Sequence, residues 1–305
     1  MTSKQVDPAV AQIEDLKEKR TNKKAFRDLS EYADIEDIEI NLLLEGIYQR
    51  YGYDFRSYSR ASICRRIRQR LASEGLKKVS QLQQQILYDK EKFSLLLNDL
   101  TINVTEMFRD PLFYKAFRAR VVPILHSYPS IKIWHAGCST GEEIYSMAIL
   151  LQEEGLYARA QIYATDIDKN VLQKAKKGIF SASELPLFEK NYQEAGGKAE
   201  FQDYYTLRYD NIIMNQSLKK NVVFADHDLA TDQVFGEMQV ILCRNVIIYF
   251  NRDLQDRVFN LFYDSLDRGG FLCLGSKESI RFSSSVHRFL AFDDKYKIYQ
   301  KHRQL

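Results

Sequence analysis

Residues 131–147, IKIWHAGCSTGEEIYSM, decide how the chain is read. Ile131, Ile133, Trp134 and Ala136 form a strand-like run. It feeds a turn of small residues, Gly137-Cys138-Ser139-Thr140-Gly141, and then an acidic helix start at Glu142-Glu143. A strand, a tight loop and a helix in that order let a ligand approach the backbone closely, beside unpaired N–H groups of the first helical turn. A phosphate would meet Glu142 and Glu143 there, and no Lys follows the last Gly, so a nucleotide-triphosphate loop does not fit. A ligand carrying positive charge and hydroxyls suits the turn better. Taken alone, the pattern is equally a mere tight connection.

The 305 residues suffice for one large or two modest domains. With 44 basic against 41 acidic residues, the overall charge does not point to nucleic acid. Cys64, Cys138, Cys243 and Cys273 include no CxxC pair, which argues against zinc and a disulfide framework and for reduced thiols. No run approaches the roughly 18 apolar residues needed to span a bilayer, so a soluble, intracellular protein is expected.

Outward from the opening stretch, strands and helices alternate. Ala160 to Asp166 is a second strand, and Lys169 to Gly178 a second helix with Asp168 as its N-cap. Asp166 ends its strand about 25 residues beyond the Gly loop, near the spacing at which an acid accepts from ribose hydroxyls in nucleoside-binding α/β folds. Val222 to Ala225 and Val240 to Asn245 read as further strands, with Val246 to Phe250 running on from the latter. A helix from about Asp253, a turn at Arg268-Gly269-Gly270 and strands at Phe271 to Leu274 and Tyr296 to Tyr299 follow. This alternation predicts a doubly wound, mainly parallel sheet. Residues 181–220 interrupt it with a short helix and a hairpin whose turn is Asp210-Asn211, a small antiparallel β-subdomain.

Towards the N-terminus the pattern is all-helical. Ile40, Leu43, Leu44 and Ile47 share one face, and Ile63, Ile67 and Leu71 another. Between Arg56 and Lys78 stand six Arg and two Lys against the single acid Glu74, a local net of +7. That run is either a solvated face or a docking surface for an acidic macromolecule; the dearth of acids on the face favours docking. Residues 1–37 are a charged extension, 38–100 a helical domain, 101–130 a linker and 131–305 the α/β domain. In the linker Thr105 or Asp110 is the cap and Pro111 the first residue of a helix.

Five segments, INVTEMFR, GCSTGEEIYS, ATDID, Asp228-Leu229 and CRNVIIYF, together resemble the CheR family of chemotaxis receptor glutamate methyltransferases, over about Ile38 to Lys301. The resemblance implies a Rossmann-like, S-adenosylmethionine-dependent methyltransferase domain with an inserted β-subdomain, preceded by an all-α domain. It implies that Asn103, Thr105 and Arg109 close over the donor and that Glu142 holds its ammonium end beside Ala136 and Gly137. Asp166 would take the ribose, Asp228 and Leu229 the adenine, and Arg244, Asn245 and Tyr249 the methyl-transfer end. Asp228 stands where the family usually has Asn; Asp can accept from the exocyclic amine but cannot donate to a ring nitrogen.

A substrate glutamate, with a pKa of about 4.3, is already ionised at neutral pH and needs no general base. Arg109 and Tyr249 are therefore expected to orient a carboxylate, unless Arg109 only pairs with Glu106 or Asp110 and Tyr249 is a core aromatic. By the same resemblance, Arg60, Arg65, Arg66, Arg68 and Arg70 face the Glu-rich helical bundle of a methyl-accepting receptor. The expected product is S-adenosylhomocysteine, with no metal, no nucleic acid, no membrane insertion and a monomeric cytoplasmic enzyme recruited to receptor arrays. The short hairpin turn suggests independence from a receptor C-terminal tail. Competing readings are a catalytically silent adaptor and a nucleic-acid methyltransferase; the latter lacks the usual Pro-Pro-aromatic loop and Pro-Cys pair.

Overall fold

Apolar residues three and four apart build the first layer of the molecule. In the computed structural model, which describes residues 35–302 apart from 102 and 235, helix α1 covers residues 35–51. Helices α2 (Arg60–Ser73), α3 (Val79–Tyr88) and α4 (Lys90–Leu100) follow. Ile40, Leu43 and Ile47 pack on Ile63, Ile67, Leu82, Ile86, Phe93 and Leu96 in one apolar core. Tyr51 stacks on Phe93 with ring centroids 3.8 Å apart, and Asp89 caps α4 by accepting from the Glu91 and Lys92 amides. The expected N-terminal extension falls outside the described residues up to 34, whereas 35–37 are already helical.

The second layer is a seven-stranded sheet in the order β6-β2-β1-β7-β8-β10-β9. Its strands are β1 (Ile131–Ala136), β2 (Ala160–Asp166), β6 (Val222–Asp226), β7 (Met238–Cys243), β8 (Leu266–Leu274), β9 (Phe289–Asp293) and β10 (Ile298–Lys301). The first five in spatial order are parallel, and β10 runs antiparallel to both of its neighbours, β8 and β9. Alternation along β1 sends Ile131 and Ile133 into one core, with α5 (Pro111–Arg120) and α7 (Glu142–Glu153), and Trp134 and Ala136 into another, with α10 (Arg252–Ser265). Strand order reverses between β1 and β7, so the crevice at their carboxyl ends is where a doubly wound sheet takes its ligand.

Between α8 (Lys169–Lys177) and β6 the chain folds β3 (Ile179–Ser181), α9 (Leu185–Glu194), β4 (Tyr205–Arg208) and β5 (Asn211–Met214), with three strands in the order β3-β5-β4. The inserted antiparallel sheet is as expected. Its turn is not: Arg208 pairs with Asn211, so Tyr209-Asp210 make the bend, with Tyr209 at φ 51°. β3 and β9, both short or edge strands, had no pattern of their own in the sequence. Arg268-Gly269-Gly270 is no turn but part of β8, where the register to β7 shifts and Gly269 sits at φ 75°. Val246 to Phe250 does not extend β7; it turns away through a 3-10 segment, Ile247–Tyr249.

One buried charge cluster joins the helix of the linker, α5, to the insertion. Arg118 of α5 pairs with Glu153 and, at 2.7 Å, with Glu154, both at the end of α7. Glu153 also accepts from Tyr192, Tyr204 and the Lys198 amide. Removing the cation leaves Glu153 as a buried carboxylate without an ion-pair partner, while Glu154 keeps Lys198 at 2.8 Å. Arg118→Ala is expected to lower the unfolding free energy by about 3 kcal/mol, read from the urea midpoint, with Arg118→Lys recovering part of it.

Candidate functional site

The loop after β1 is shaped by what crosses it. Gly137 lies at φ 81°, and a Cβ there would come within 2.5 Å of the Val246 side chain, so only glycine lets the loops after β1 and β7 pack together. Gly137 and Cys138 both donate to the Thr165 carbonyl at 2.9 Å. Next, the Ser139 amide donates to Asp166 Oδ2 at 2.8 Å, and the Asp168 amide to Oδ1 at 3.0 Å. Asp166 thus stands at the end of β2, fixed by two backbone donors. Asp168 caps α8 as expected, accepting from the Asn170 amide.

The linker is strapped across this loop by polar contacts. The Phe108 amide donates to Ser146 Oγ of α7 at 2.8 Å, and Asn191 Nδ2 donates to the Met107 carbonyl at 3.0 Å. Asp110 does not cap α5 with its side chain; at φ 57° it occupies the N-cap position with its carboxylate elsewhere. That carboxylate accepts from Arg244 Nη2 at 2.7 Å. Arg244 also donates to the Arg109 carbonyl at 3.1 Å and to Glu143 Oε2 at 3.0 Å, over the Phe113 ring at 4.3 Å. Glu143 Oε1 in turn lies 2.9 Å from Nδ1 of the buried His135. Burial pushes the Glu143 carboxyl up, but His135 and Arg244 together hold it below the usual range.

These elements enclose a cleft of about 1010 Å³, counting its open mouth, large enough for a nucleoside-sized ligand. Asn103, Thr105 and Arg109 of the linker, Gly137, Asp166, Asp228, Leu229, Arg244, Asn245 and Tyr249 all line it. Arg109 makes no ion pair with Glu106 or Asp110; its Nη1 donates to the Val104 carbonyl at 3.0 Å, closing a tight bend. The helical layer supplies Tyr58, Leu100 and Thr101 to the same cleft. It is stitched there by the Ser59 amide on the Tyr249 carbonyl, 2.7 Å, and the Asn251 amide on the Ser57 carbonyl, 3.0 Å.

Ala136 and Glu142 do not line the cleft. Ala136 is covered within the core. Glu142 is buried at the start of α7, with the Thr140 hydroxyl 2.7 Å from Oε2. Burial pushes its carboxyl up to about 7, and the charge of Glu184 in the insertion adds to that. Burial likewise pushes Asp166 and Asp228 up to about 6. Glu143, Ser139 and Tyr58 line the cleft without having been singled out from the sequence. Glu143 was legible as the second acid of the helix start, the others not.

The arginines of α2 do not form the acid-free face expected of them. Arg60 pairs with Asp37 at 2.9 Å, Arg68 with Glu36 at 2.7 Å and Arg70 with Asp99 at 2.5 Å. Arg66 is buried, donates to the Asp99 carbonyl and lies 5.5 Å from the Tyr249 ring centre. Among the described residues Arg65 alone of the five is exposed without a recorded ion pair. The partners come from α1 and α4, which a count along α2 does not see.

Comparison with known proteins places both layers. The family model described as "CheR methyltransferase, all-alpha domain" matches residues 38–101, and "CheR methyltransferase, SAM binding domain" matches 103–296. A Pseudomonas putida protein named "Putative methyltransferase Cher3" is 56% identical over 87% of this chain and 97% of its own. The "Chemotaxis protein methyltransferase 2" of Vibrio cholerae is 30% identical over 88% and 95%, respectively. The Salmonella typhimurium "Chemotaxis protein methyltransferase" is 29% identical over 84% and 88%.

The cleft suits S-adenosylmethionine by its own chemistry. Ser139 Oγ and Asn245 Oδ1 are buried in its wall with no hydrogen-bond partner among the described residues. The carboxylates of Asp166 and Asp228 have the chemistry to accept from a ribose diol and an aromatic amine. Ligand binding that uses the ionised Asp166 must weaken as pH falls through about 6, where the carboxyl takes up its proton. The sign is opposite for the free protein. Its folded-state pKa exceeds the unfolded value, so this group's contribution to stability falls as pH rises from about 4 to 6. Calorimetric titration with S-adenosylhomocysteine should therefore show affinity dropping between pH 7 and pH 5. Asp166→Asn should weaken binding about tenfold at pH 7.5 and make that pH dependence shallower, leaving the share contributed by Asp228 and Glu142.

Proposed function

The chain belongs to the CheR methyltransferase family, and from that membership we propose that it transfers methyl groups to glutamate side chains of chemoreceptors, as methyl esters. S-Adenosylmethionine-dependent methylation in chemotaxis follows from the family itself. The observation that carries the choice of a carboxylate acceptor is Arg109. Arg109 lines the cleft, and among the described residues its side chain donates to a backbone carbonyl and not to the nearby carboxylates of Glu106 and Asp110. Such a group suits an incoming carboxylate through paired N–H donors.

Bound S-adenosylmethionine supplies a methyl group on a positively charged sulfur, which an ionised carboxylate takes without a base. The work left to the chain is to bind, align and exclude water. Asp166 holds the ribose and Asp228 with Leu229 the adenine. Glu142 lies buried beside the cleft and outside its lining, so it meets the ammonium only if the Gly137–Gly141 loop moves aside; it remains the acid for that role because Glu143 is already paired with Arg244 and His135, whereas Glu142 has a hydroxyl partner and a raised pKa that a cation would bring down. Arg109 orients the substrate carboxylate, and Tyr249 offers its hydroxyl beside it. Asn103 and Thr105 complete the cover. The receptor docks over α2 through Arg65 and the outward sides of the paired Arg60 and Arg68, with Arg66 and Arg70 holding the helix in place.

Incubation with labelled S-adenosylmethionine and receptor-bearing membranes should give a label that mild base releases as volatile methanol. Base-stable label, or label on nucleic acid, would sink the proposal. Arg109→Ala should reduce kcat/KM about a hundredfold, and Tyr249→Phe about tenfold, with S-adenosylhomocysteine affinity changed less. Arg65→Glu should raise KM for the receptor severalfold at low salt, with kcat unchanged and the difference vanishing at high salt. An unchanged KM at low salt would remove Arg65 from the docking surface.

A further inference from the structure

Glu278 lies in the loop after β8, outside the cleft lining, and is 3% exposed. Its Oε2 accepts from the Asn245 amide at 2.9 Å and the Gly275 amide at 2.6 Å, and its Oε1 accepts from the Val246 amide at 2.9 Å. It has no ion pair among the described residues, so the carboxylate is balanced by backbone donors in a dry site, and burial still pushes its pKa upward. The segment it holds is unusual. Asn245 sits at φ 63°, in the left-handed region, between the buried Arg244 and the 3-10 segment that carries Tyr249. Asn245 tolerates the left-handed conformation, but the apolar run Val246-Ile247-Ile248 after it favours continuation as a strand. The loop carrying Glu278 approaches so closely that a Cβ on Gly275 would lie 2.8 Å from the Asn245 amide nitrogen and 2.8 Å from Glu278 Oε2.

We propose that Glu278 is a positioning residue: its carboxylate forces the chain to leave β7 at Asn245, and so aims the Asn245 side chain into the cleft. The physical reason is that two adjacent amides, freed from strand pairing at the end of β7, would be buried without acceptors if Glu278 were absent. With the acid present, the left-handed turn at Asn245 becomes the conformation in which both are satisfied. The argument rests on the cleft being the donor site, and the test separates the two.

Glu278→Gln replaces one acceptor oxygen with an NH2 group that cannot accept from an amide. Binding of S-adenosylhomocysteine is measured by calorimetry for Glu278→Gln, Asn245→Ala and the double variant, with thermal unfolding of each. If Glu278 acts through Asn245, each single variant loses about tenfold in affinity and the double loses no more than either. A hundredfold, additive loss in the double variant overturns the inference, as does a Glu278→Gln protein that melts earlier yet binds normally. If Asn245→Ala binds normally, the donor-site assignment of Asn245 fails and the coupling with it. Should Glu278→Gln not fold, Glu278→Asp, which keeps the charge on a shorter arm, takes its place in the same cycle. A loss that is non-additive with Asn245→Ala again supports the coupling, and additivity or unchanged binding again overturns it.

Discussion

The guanidinium of Arg244 is the contact on which the site depends. With 2% of its side chain exposed, it binds Asp110 and the Arg109 carbonyl in the linker and Glu143 in α7, above the Phe113 ring. A charge so far from water is tolerable only because carboxylates and a carbonyl surround it. The consequence is geometric: the end of β7, the start of α7 and the linker cannot move apart without exposing an unpaired cation or two unpaired acids. Arg109 is thereby fixed through its own backbone, while its side chain stays available to the cleft.

Charge within the cleft is divided between settled and unsettled groups. Glu143 and Arg244 neutralise one another and define shape. Asp166 and Asp228 in the lining, and Glu142 buried beside it, have hydroxyl or amide donors but no ion pair among the described residues, and burial pushes all three upward. A cofactor that brings hydroxyls, an amine and positive charge relieves that cost as it binds, which is why a loop hostile to phosphate suits S-adenosylmethionine. Asp228 in place of the family's usual Asn fits this division, as an acceptor held by the Ala230 amide at 2.8 Å.

Much of this was legible in the sequence, because strands with apolar bodies and polar ends follow from local pattern. The β1 loop, Asp166 at its strand end, Asp168 as cap and the antiparallel insertion needed no tertiary knowledge. What escaped was set by distant partners. VIIYF has the composition of a strand, but Glu278, some thirty residues on, takes the amides of Asn245 and Val246 where the run begins and bends it. Asp110 next to Pro111 has the look of a cap, but Arg244 claims its carboxylate across the fold. The arginines of α2 looked unopposed because their acids sit on α1 and α4.

The central claim is that this cleft delivers a methyl group to a carboxylate. The most direct measurement is mass-spectrometric mapping of a receptor cytoplasmic segment after reaction with the protein and S-adenosylmethionine. Added methyl mass is expected on glutamate side chains, and none on a segment whose modified glutamates have been replaced by glutamine. Methyl groups found on lysine, arginine or nucleic acid, or none at all from protein that binds S-adenosylhomocysteine normally, would contradict it.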